Sequence, residues 1–166
     1  MQSLVAQDQV THLANENSRE FLVFTLGDEQ YGIDILKVQE IRAYEKITSI
    51  ANTPDFIKGV MDLRGIIVPI VDLRIKFALE SIEHDDQTVV IVVDVGSQVI
   101  GLVVDAVSDV MTFSAEEIKP APTYSMSLSS DYIEGLASRD DQMTVLMDVE
   151  ALLSSRELAM LDQTGG

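Results

Sequence analysis

The feature of this sequence that most limits its fold is a long internal repeat. Residues 20–41, EFLVFTLGDEQYGIDILKVQEI, align with residues 89–110, VVIVVDVGSQVIGLVVDAVSDV, at an offset of 69 positions. Further along the chain, VPIVDL at 68–73 aligns with TVLMDV at 144–149, at an offset of 76. Two matched segments in the same order predict two copies of one supersecondary unit, because a solenoid is built from three or more short repeats.

Each copy has the pattern of short β-strands. Its apolar runs are rich in β-branched and aromatic residues and are separated by turn signals such as Gly27-Asp28. A copy offers about four or five such strands, which are too few for a sandwich but enough for a small closed barrel that hides its edges. The sequence therefore predicts a mainly β fold of two related barrel subdomains, with short helices and a C-terminal helix.

Changes in composition predict the boundaries. The N-terminal residues are polar without a sustained period, and the stretch LESIEHDDQ is acidic with few apolar residues. Asp148 can cap a helix whose apolar residues fall on one face. The predicted parts are a flexible arm at 1–19, subdomain 1 at about 20–78, a linker at about 79–87, subdomain 2 at about 88–147, the helix at about 148–161 and a flexible tail at 162–166.

The charge balance excludes some classes of partner. The chain has 11 Lys and Arg against 28 Asp and Glu, a formal net charge of −17. This charge repels nucleic acid and anionic lipid, so we expect no nucleic acid partner and no direct contact with the membrane. The sequence contains no Cys, which fits a cytoplasmic protein, and no apolar run long enough to span a bilayer.

Residues typical of catalysis are scarce. His12 falls in the predicted arm and His84 in the predicted linker, where nothing would fix an imidazole ring. Asp72 and Asp148 are repeat equivalents at the ends of apolar runs, and helix capping is the better interpretation of both. We therefore expect no catalytic residues, no cofactor and no metal site, and a carboxylate-based hydrolase is the weaker hypothesis.

The residues from Glu20 to Leu161 resemble the CheW-like family of chemotaxis coupling (adaptor) proteins. The resemblance is carried by EFLVFTLGDEQYGIDILKVQEI, TPDFIKGVMDLRGIIVPIVDLRIKF, VIGLVVDAVSDV and MDVEALL. It implies two SH3-like five-stranded β-barrel subdomains and no enzymatic activity. It also implies an adaptor that joins methyl-accepting chemoreceptors to the histidine kinase CheA, in the cytoplasm, at the inner face of the membrane through receptor complexes.

The same resemblance implies the binding surfaces. The groove between the subdomains would receive the helical-hairpin signalling tip of a chemoreceptor, with Ile35, Val38, Glu40 and Val110 facing it. Other surfaces would dock the regulatory domain of CheA, and rings could form with CheA or between copies of the protein. From residue type alone, Ile35, Val38 and Val110 could equally belong to the core.

Arg64 is the charged residue in GVMDLRGIIVPIVDL, between two apolar runs. At the edge of a barrel wall its guanidinium requires acceptors, and Glu40 is the candidate for a bidentate pair. The resemblance places Arg64 beside the groove, as a fifth residue of the receptor-binding surface. Two alternatives remain: a purely structural ion pair, and diversion of the arginine by the nearby Asp62.

One alternative function shares the same family. A detached CheW-like regulatory module of a two-component kinase system would have a similar sequence. A freestanding adaptor is favoured, because the chain has its own initiator Met and no nucleotide-binding segment. Its 166 residues leave no room for the receiver domain of a related adaptor class.

Overall fold

The computed structural model of the chain describes residues 18–44, 47–77, 87–96, 98–120 and 132–152. These ranges form mainly β-structure, which confirms the predicted fold class. The strands are β1 Ser18–Leu26, β2 Glu29–Asp34, β3 Val38–Ala43, β4 Ile57–Leu63, β5 Ile66–Asp72, β6 Val89–Asp94, β7 Val99–Val104, β8 Ala106–Ser114, β9 Ile118–Lys119, β10 Ile133–Arg139 and β11 Gln142–Met147. The helical elements are α1 Leu73–Lys76 and the 3-10 turns Ile35–Lys37 and Val149–Ala151.

The strands form two sheets. The six-stranded sheet has the order β8-β1-β2-β11-β10-β9, and the five-stranded sheet has the order β3-β6-β7-β5-β4. Among the described elements, the chain passes between the sheets at two points. It crosses from β2 to β3 at the 3-10 turn of residues 35–37, and from β7 to β8 at the single residue Asp105.

The sheets do not coincide with the two halves of the sequence repeat. β1 and β2, from the first half, pair with β8 and β11 of the second half. β6 and β7, from the second half, pair with β3 and β5 of the first half. The first hairpin of each repeat thus completes the sheet of the other repeat. Residues 20–78 and 88–147 therefore do not each supply one complete sheet, since the repeat identifies similar segments but not their pairing partners.

The repeat itself is confirmed down to the irregularities of the strands. Gln39 is skipped in the pairing of β3 with β6, and its equivalent Ser108 is skipped in the pairing of β8 with β1. Likewise, Lys58 is skipped between β4 and β5, and its equivalent Glu134 between β10 and β11. Matching β-bulges at equivalent positions show that both copies have the same local backbone path.

Three apolar clusters stabilise this arrangement. One lies within the five-stranded sheet and contains Met61, Leu63, Val68, Ile70, Val90, Val92 and Val103. A second lies within the six-stranded sheet and contains Phe21, Phe113, Ala137 and Leu146. The largest joins both sheets and includes Leu22, Phe24, Tyr31, Ile33, Ile91, Val93, Ile100, Leu102 and Met147. We call this third cluster the inter-sheet core.

Contacts between residues near opposite edges of each sheet curl the sheet on itself. In the five-stranded sheet, Thr48 follows β3 and exchanges two backbone hydrogen bonds of 2.9 and 2.8 Å with Val60 of β4. In the six-stranded sheet, Arg139 of β10 donates to the carbonyl of Thr112 on β8 at 2.6 Å. Both contacts reduce the exposed strand edges, which is compatible with the predicted barrels.

Several predicted parts fall outside the described residues. These are residues 1–17 of the arm, 79–86 of the linker, and 153–166, which include most of the predicted C-terminal helix and the tail. Ser18 and Arg19, assigned to the arm, are in fact the first residues of β1. At the start of the predicted helix, the described turn is 3-10, and Asp148 accepts from the backbone N–H of Glu150 as a cap.

Candidate partner-binding surface

The 3-10 turn between β2 and β3 determines the positions of Ile35 and Val38, two of the residues predicted to contact a partner. Asp34 caps this turn, since its Oδ1 accepts a hydrogen bond of 2.9 Å from the backbone N–H of Leu36. Ile35 within the turn and Val38 directly after it are half-buried and pack against the inter-sheet core. Each therefore contributes to the core and also leaves part of its side chain accessible to a partner.

Val110 lies on β8 and is 43% exposed, so it is not a core residue. Its Cα partner on β1 is Leu22, which belongs to the inter-sheet core. The repeat equivalent of Val110 is Ile41 on β3, which is 44% exposed and pairs with the core residue Ile91. Two equivalent apolar side chains, one from each sheet, thus lie on the inter-sheet side.

The β-bulge at Gln39 explains which residues share this side. Val38 and Ile41 pair with Val93 and Ile91 of the inter-sheet core. Glu40 instead pairs with Val92, which faces the cluster inside the five-stranded sheet. An extra residue in a strand shifts its alternation, so residues three apart reach the same face.

Arg64 occupies the tip of the hairpin between β4 and β5, not a barrel wall. Leu63 and Ile66 are paired across the hairpin, and Arg64 and Gly65 form its two-residue loop. Both loop residues have positive φ, 54° and 87°, as a type I′ turn requires. The Arg64 side chain is 68% exposed. Asp62 Oδ1 accepts from the backbone N–H of Gly65 at 2.8 Å, so Asp62 braces the turn and does not divert the arginine.

The predicted pair between Arg64 and Glu40 is present. Arg64 Nη2 lies 2.5 Å from Glu40 Oε2, and Nη1 lies 3.4 Å from Oε1. Arg42 Nη1 reaches the same carboxylate at 3.5 Å. The hydrogen bond from Arg64 is the largest cause that lowers the pKa of Glu40, and Glu40 in turn raises the pKa of Arg64. Because β3 and β4 are opposite edges of the sheet, the pair also connects its two ends.

The predicted residues therefore divide into two neighbouring groups. Ile35, Val38 and Val110 lie along the inter-sheet side, whereas Glu40 and Arg64 lie on the other side of β3. Sequence reasoning missed Ile41, although the alignment of VQEI with VSDV pairs it directly with Val110. It also missed Leu36, for which the local sequence carries no signal of exposure.

A buried charge that the sequence did not reveal lies where the sheets meet. Arg74 is fully buried, and its Nε and Nη2 donate to the two carboxylate oxygens of buried Asp72, both at 3.0 Å. Arg74 Nη1 reaches Asp105 Oδ1 at 3.1 Å, and Asp105 Oδ2 accepts from the backbone N–H of Gly27 at 2.7 Å. The chain of contacts runs from β5 through α1 to the crossover and the β1–β2 turn. Burial lowers the pKa of Arg74, but the hydrogen bonds and charges of Asp72 and Asp105 together more than offset this, so the pKa is raised.

Asp72 and Asp148, the aspartates considered for acid–base chemistry, both act as caps. Asp72 accepts from the backbone N–H of Arg74 at 3.0 Å, as predicted for a cap. Within the described ranges, no three His, Cys, Asp or Glu side chains are arranged to hold a metal ion. His12 and His84 lie outside those ranges. The described part of the chain also contains no helix with the length and apolar character that a membrane-spanning helix needs.

Two packed β-sheets, each with an equivalent exposed apolar residue on the inter-sheet side, are compatible with a protein that binds other proteins. The comparisons with known proteins agree. The model of the CheW-like domain matches residues 20–157, and the chain therefore belongs to the CheW-like family of chemotaxis scaffold proteins. This membership confirms the prediction that the protein is not an enzyme.

Individual relatives support the same assignment. The chain is 56% identical to the chemotaxis protein CheW of Klebsiella aerogenes, over 92% of this chain and 93% of that protein. It is 36% identical to the probable chemotaxis protein CheW of Rhizobium etli, over 86% and 92% of the two chains. The crystal structure of the scaffolding protein TtCheW from Thermoanaerobacter tengcongensis has a TM-score of 0.78 and 33% identity, covering 84% of this chain and 90% of that one.

Proposed function

We propose that this protein is a non-enzymatic adaptor that links methyl-accepting chemoreceptors to the histidine kinase CheA. The observation that supports this most strongly is the pair of equivalent exposed residues Ile41 and Val110, one on each sheet, along the inter-sheet side. Exposed apolar residues on the inter-sheet side of both sheets suit the binding of a helix, which is held by a few apolar anchors.

In this proposal the receptor's helical-hairpin signalling tip contacts Ile35, Val38 and Val110. The pair of Glu40 and Arg64 forms a charged rim on the neighbouring side of β3. Charged rims favour one orientation of a partner over others more than they add affinity. The regulatory domain of CheA docks elsewhere on the protein, which resides in the cytoplasm at the inner face of the membrane through its receptors.

An adaptor without enzymatic activity controls a kinase only by binding its active and inactive arrangements with different affinities. If it binds the active and inactive arrangements with unequal affinity, the receptor signal is transmitted as a coupling free energy, typically about 1–3 kcal/mol. Individual contacts can then be weak, because ring assembly with CheA, or between copies of this protein, adds avidity.

Cosedimentation with membranes that carry a chemoreceptor, with and without CheA, tests the proposal. The wild type is expected to pellet with receptor membranes and to recruit the kinase. Arg64→Ala should pellet less while its Tm falls only slightly, since the ion pair that it breaks with Glu40 is exposed and such pairs contribute little to stability. Lys119→Ala removes an exposed cation on β9 of the six-stranded sheet and is the control. A wild type that does not pellet with receptor contradicts the proposal.

A further inference from the structure

A second surface feature adjoins the 3-10 turn of residues 35–37. It is a pocket of about 320 Å³ between the start of β1, the end of β2 and β8. The residues that line it are Ser18, Arg19, Glu20, Asp34, Ile35, Leu36 and Thr112. Only Ile35 is shared with the receptor-binding residues proposed above, so the pocket extends that surface toward Ser18 at the start of β1.

Leu36 forms an apolar edge of this pocket. It is 87% exposed, the highest value among the large hydrophobic residues that the structure describes. The turn that carries it is held at both ends, since Asp34 caps it and Lys37 Nζ lies 2.6 Å from Glu150 Oε1. An apolar side chain on a turn fixed in this way is pre-organised for contact, because little conformational freedom is lost on binding.

The charged residues of the pocket differ in whether they are paired. Arg19 Nη2 lies 2.9 Å from Asp34 Oδ2, and its Nη1 lies 2.5 Å from Glu134 Oε1, so two carboxylates already neutralise this guanidinium. Its carbon Cζ also lies 4.8 Å from the centroid of the Phe21 ring. Within the described ranges, Glu20 has no ion-pair partner and is exposed. The pocket thus combines an apolar edge with an unneutralised carboxylate.

We propose that Leu36, at the edge of this pocket, contacts one apolar side chain of the receptor's helical tip, while Glu20 pairs with a Lys or Arg about one helical turn away in that helix. This inference rests on the proposed function and specifies the chemistry of the receptor segment. A helix with its side chains is roughly 10–12 Å across, so a pocket of this volume takes a side chain and not the helix itself. Residues three or four apart share a helix face, which allows one helix to satisfy both Leu36 and Glu20.

Charge complementarity favours a receptor helix as the occupant over two alternatives, which are residues 1–17 of this chain and a second copy of the protein. Residues 1–17, which precede the pocket residue Ser18, contain Asp8 and Glu16 but no Lys or Arg. A second copy of this chain carries a net charge of −17 and is repelled at long range. A partner helix with a basic residue is attracted by Glu20.

The test is a titration of the full chain with a soluble chemoreceptor fragment that contains the helical-hairpin tip. Leu36→Ala is expected to weaken binding about tenfold, as for an anchor residue of an interface. At low salt, Glu20→Lys should weaken binding at least as much as Leu36→Ala does. Added salt should reduce the difference in affinity between Glu20→Lys and the wild type. All variants must first show the wild-type melting temperature, which is expected because both side chains are exposed.

Two matched controls isolate the pocket. Met143→Ala truncates a 54% exposed apolar residue on β11, outside the pocket. Asp28→Lys reverses a charge at the opposite end of β1. Both should bind within twofold of the wild type. If Leu36→Ala and Glu20→Lys bind like these controls, the pocket inference is wrong while wild-type binding still supports the proposed function. Failure of the wild type itself to bind the fragment overturns both.

Discussion

The buried ion pair of Arg74 and Asp72 gives the sharpest prediction for stability. Both side chains are fully buried, and two parallel hydrogen bonds of 3.0 Å join them. Asp105 accepts a third hydrogen bond from Arg74, at 3.1 Å. Arg74→Met keeps an unbranched side chain at this position but removes every charged donor. The carboxylate of Asp72 then stays buried without its guanidinium.

Breaking a buried pair by removing one partner typically costs about 3–5 kcal/mol, because an uncompensated charge remains in the interior. For a chain of this size each kcal/mol lowers Tm by roughly 2–4 °C, so Arg74→Met should melt roughly 6–20 °C below the wild type. Lys37→Met breaks an exposed pair with Glu150 and should change Tm little.

Thermal and urea denaturation of a double-mutant cycle can check whether the uncompensated charge of Asp72 causes the loss of stability. Asp72→Asn together with Arg74→Met removes both charges, while an amide oxygen can still cap α1. The double variant should therefore be more stable than Arg74→Met alone, and its loss of stability should be smaller than the sum of the two single losses. A loss below about 1 kcal/mol in Arg74→Met, or simple addition of the two single effects, would refute this reasoning.

Two further predictions concern the five-stranded sheet. Arg64 holds the pKa of Glu40 below its ordinary value of 4.5, so the contribution of this pair to stability is present above pH 4.5 and is lost as pH falls through the lowered pKa. The difference in Tm between wild type and Glu40→Gln should be constant from about pH 8 to pH 5.5 and shrink below pH 4.5; a difference unchanged at pH 3 would contradict this. A Cβ at Gly101 would lie 2.7 Å from both Ile70 Cδ1 and Val90 Cγ1, whereas the nearest contact at its repeat equivalent Gly32 would be 3.1 Å. Gly101→Ala should therefore cost about 1–3 kcal/mol in urea denaturation and Gly32→Ala less, and the reverse order would show that Ile70 and Val90 relax easily.

Local features of the fold could be predicted from the sequence because short-range chemistry determines them. The repeat, the strand-rich composition and the cap at Asp72 follow from residue type and spacing alone. The pair of Arg64 with Glu40 was predicted from the need of a guanidinium for acceptors, together with the family resemblance. The position of Arg64 was less well predicted, because a type I′ turn usually has Gly or Asn where this chain has Arg.

Long-range features could not be predicted in the same way. Periodicity shows that a segment is a strand but not which strand it pairs with, so the exchange of hairpins between the repeat halves was missed. The burial of Arg74 could not be predicted, because charged residues are seldom fully buried. Its contact with Asp105 could not be predicted either, because the two residues are 31 positions apart in the sequence. Thr53 followed by Pro54 is typical of the start of a helix, but residues 51–56 contain turns and no helix, and Asn52 has φ of 65°.

We propose that this protein couples receptor to kinase without chemistry of its own. The most direct test is phosphorylation of CheA by ATP in vesicles that contain a chemoreceptor, measured with and without this protein and with and without receptor ligand. We predict that kinase activity responds to the ligand only when the protein is present, and that Val110→Asp abolishes the response without lowering Tm. A ligand response of equal size without the protein would contradict the account.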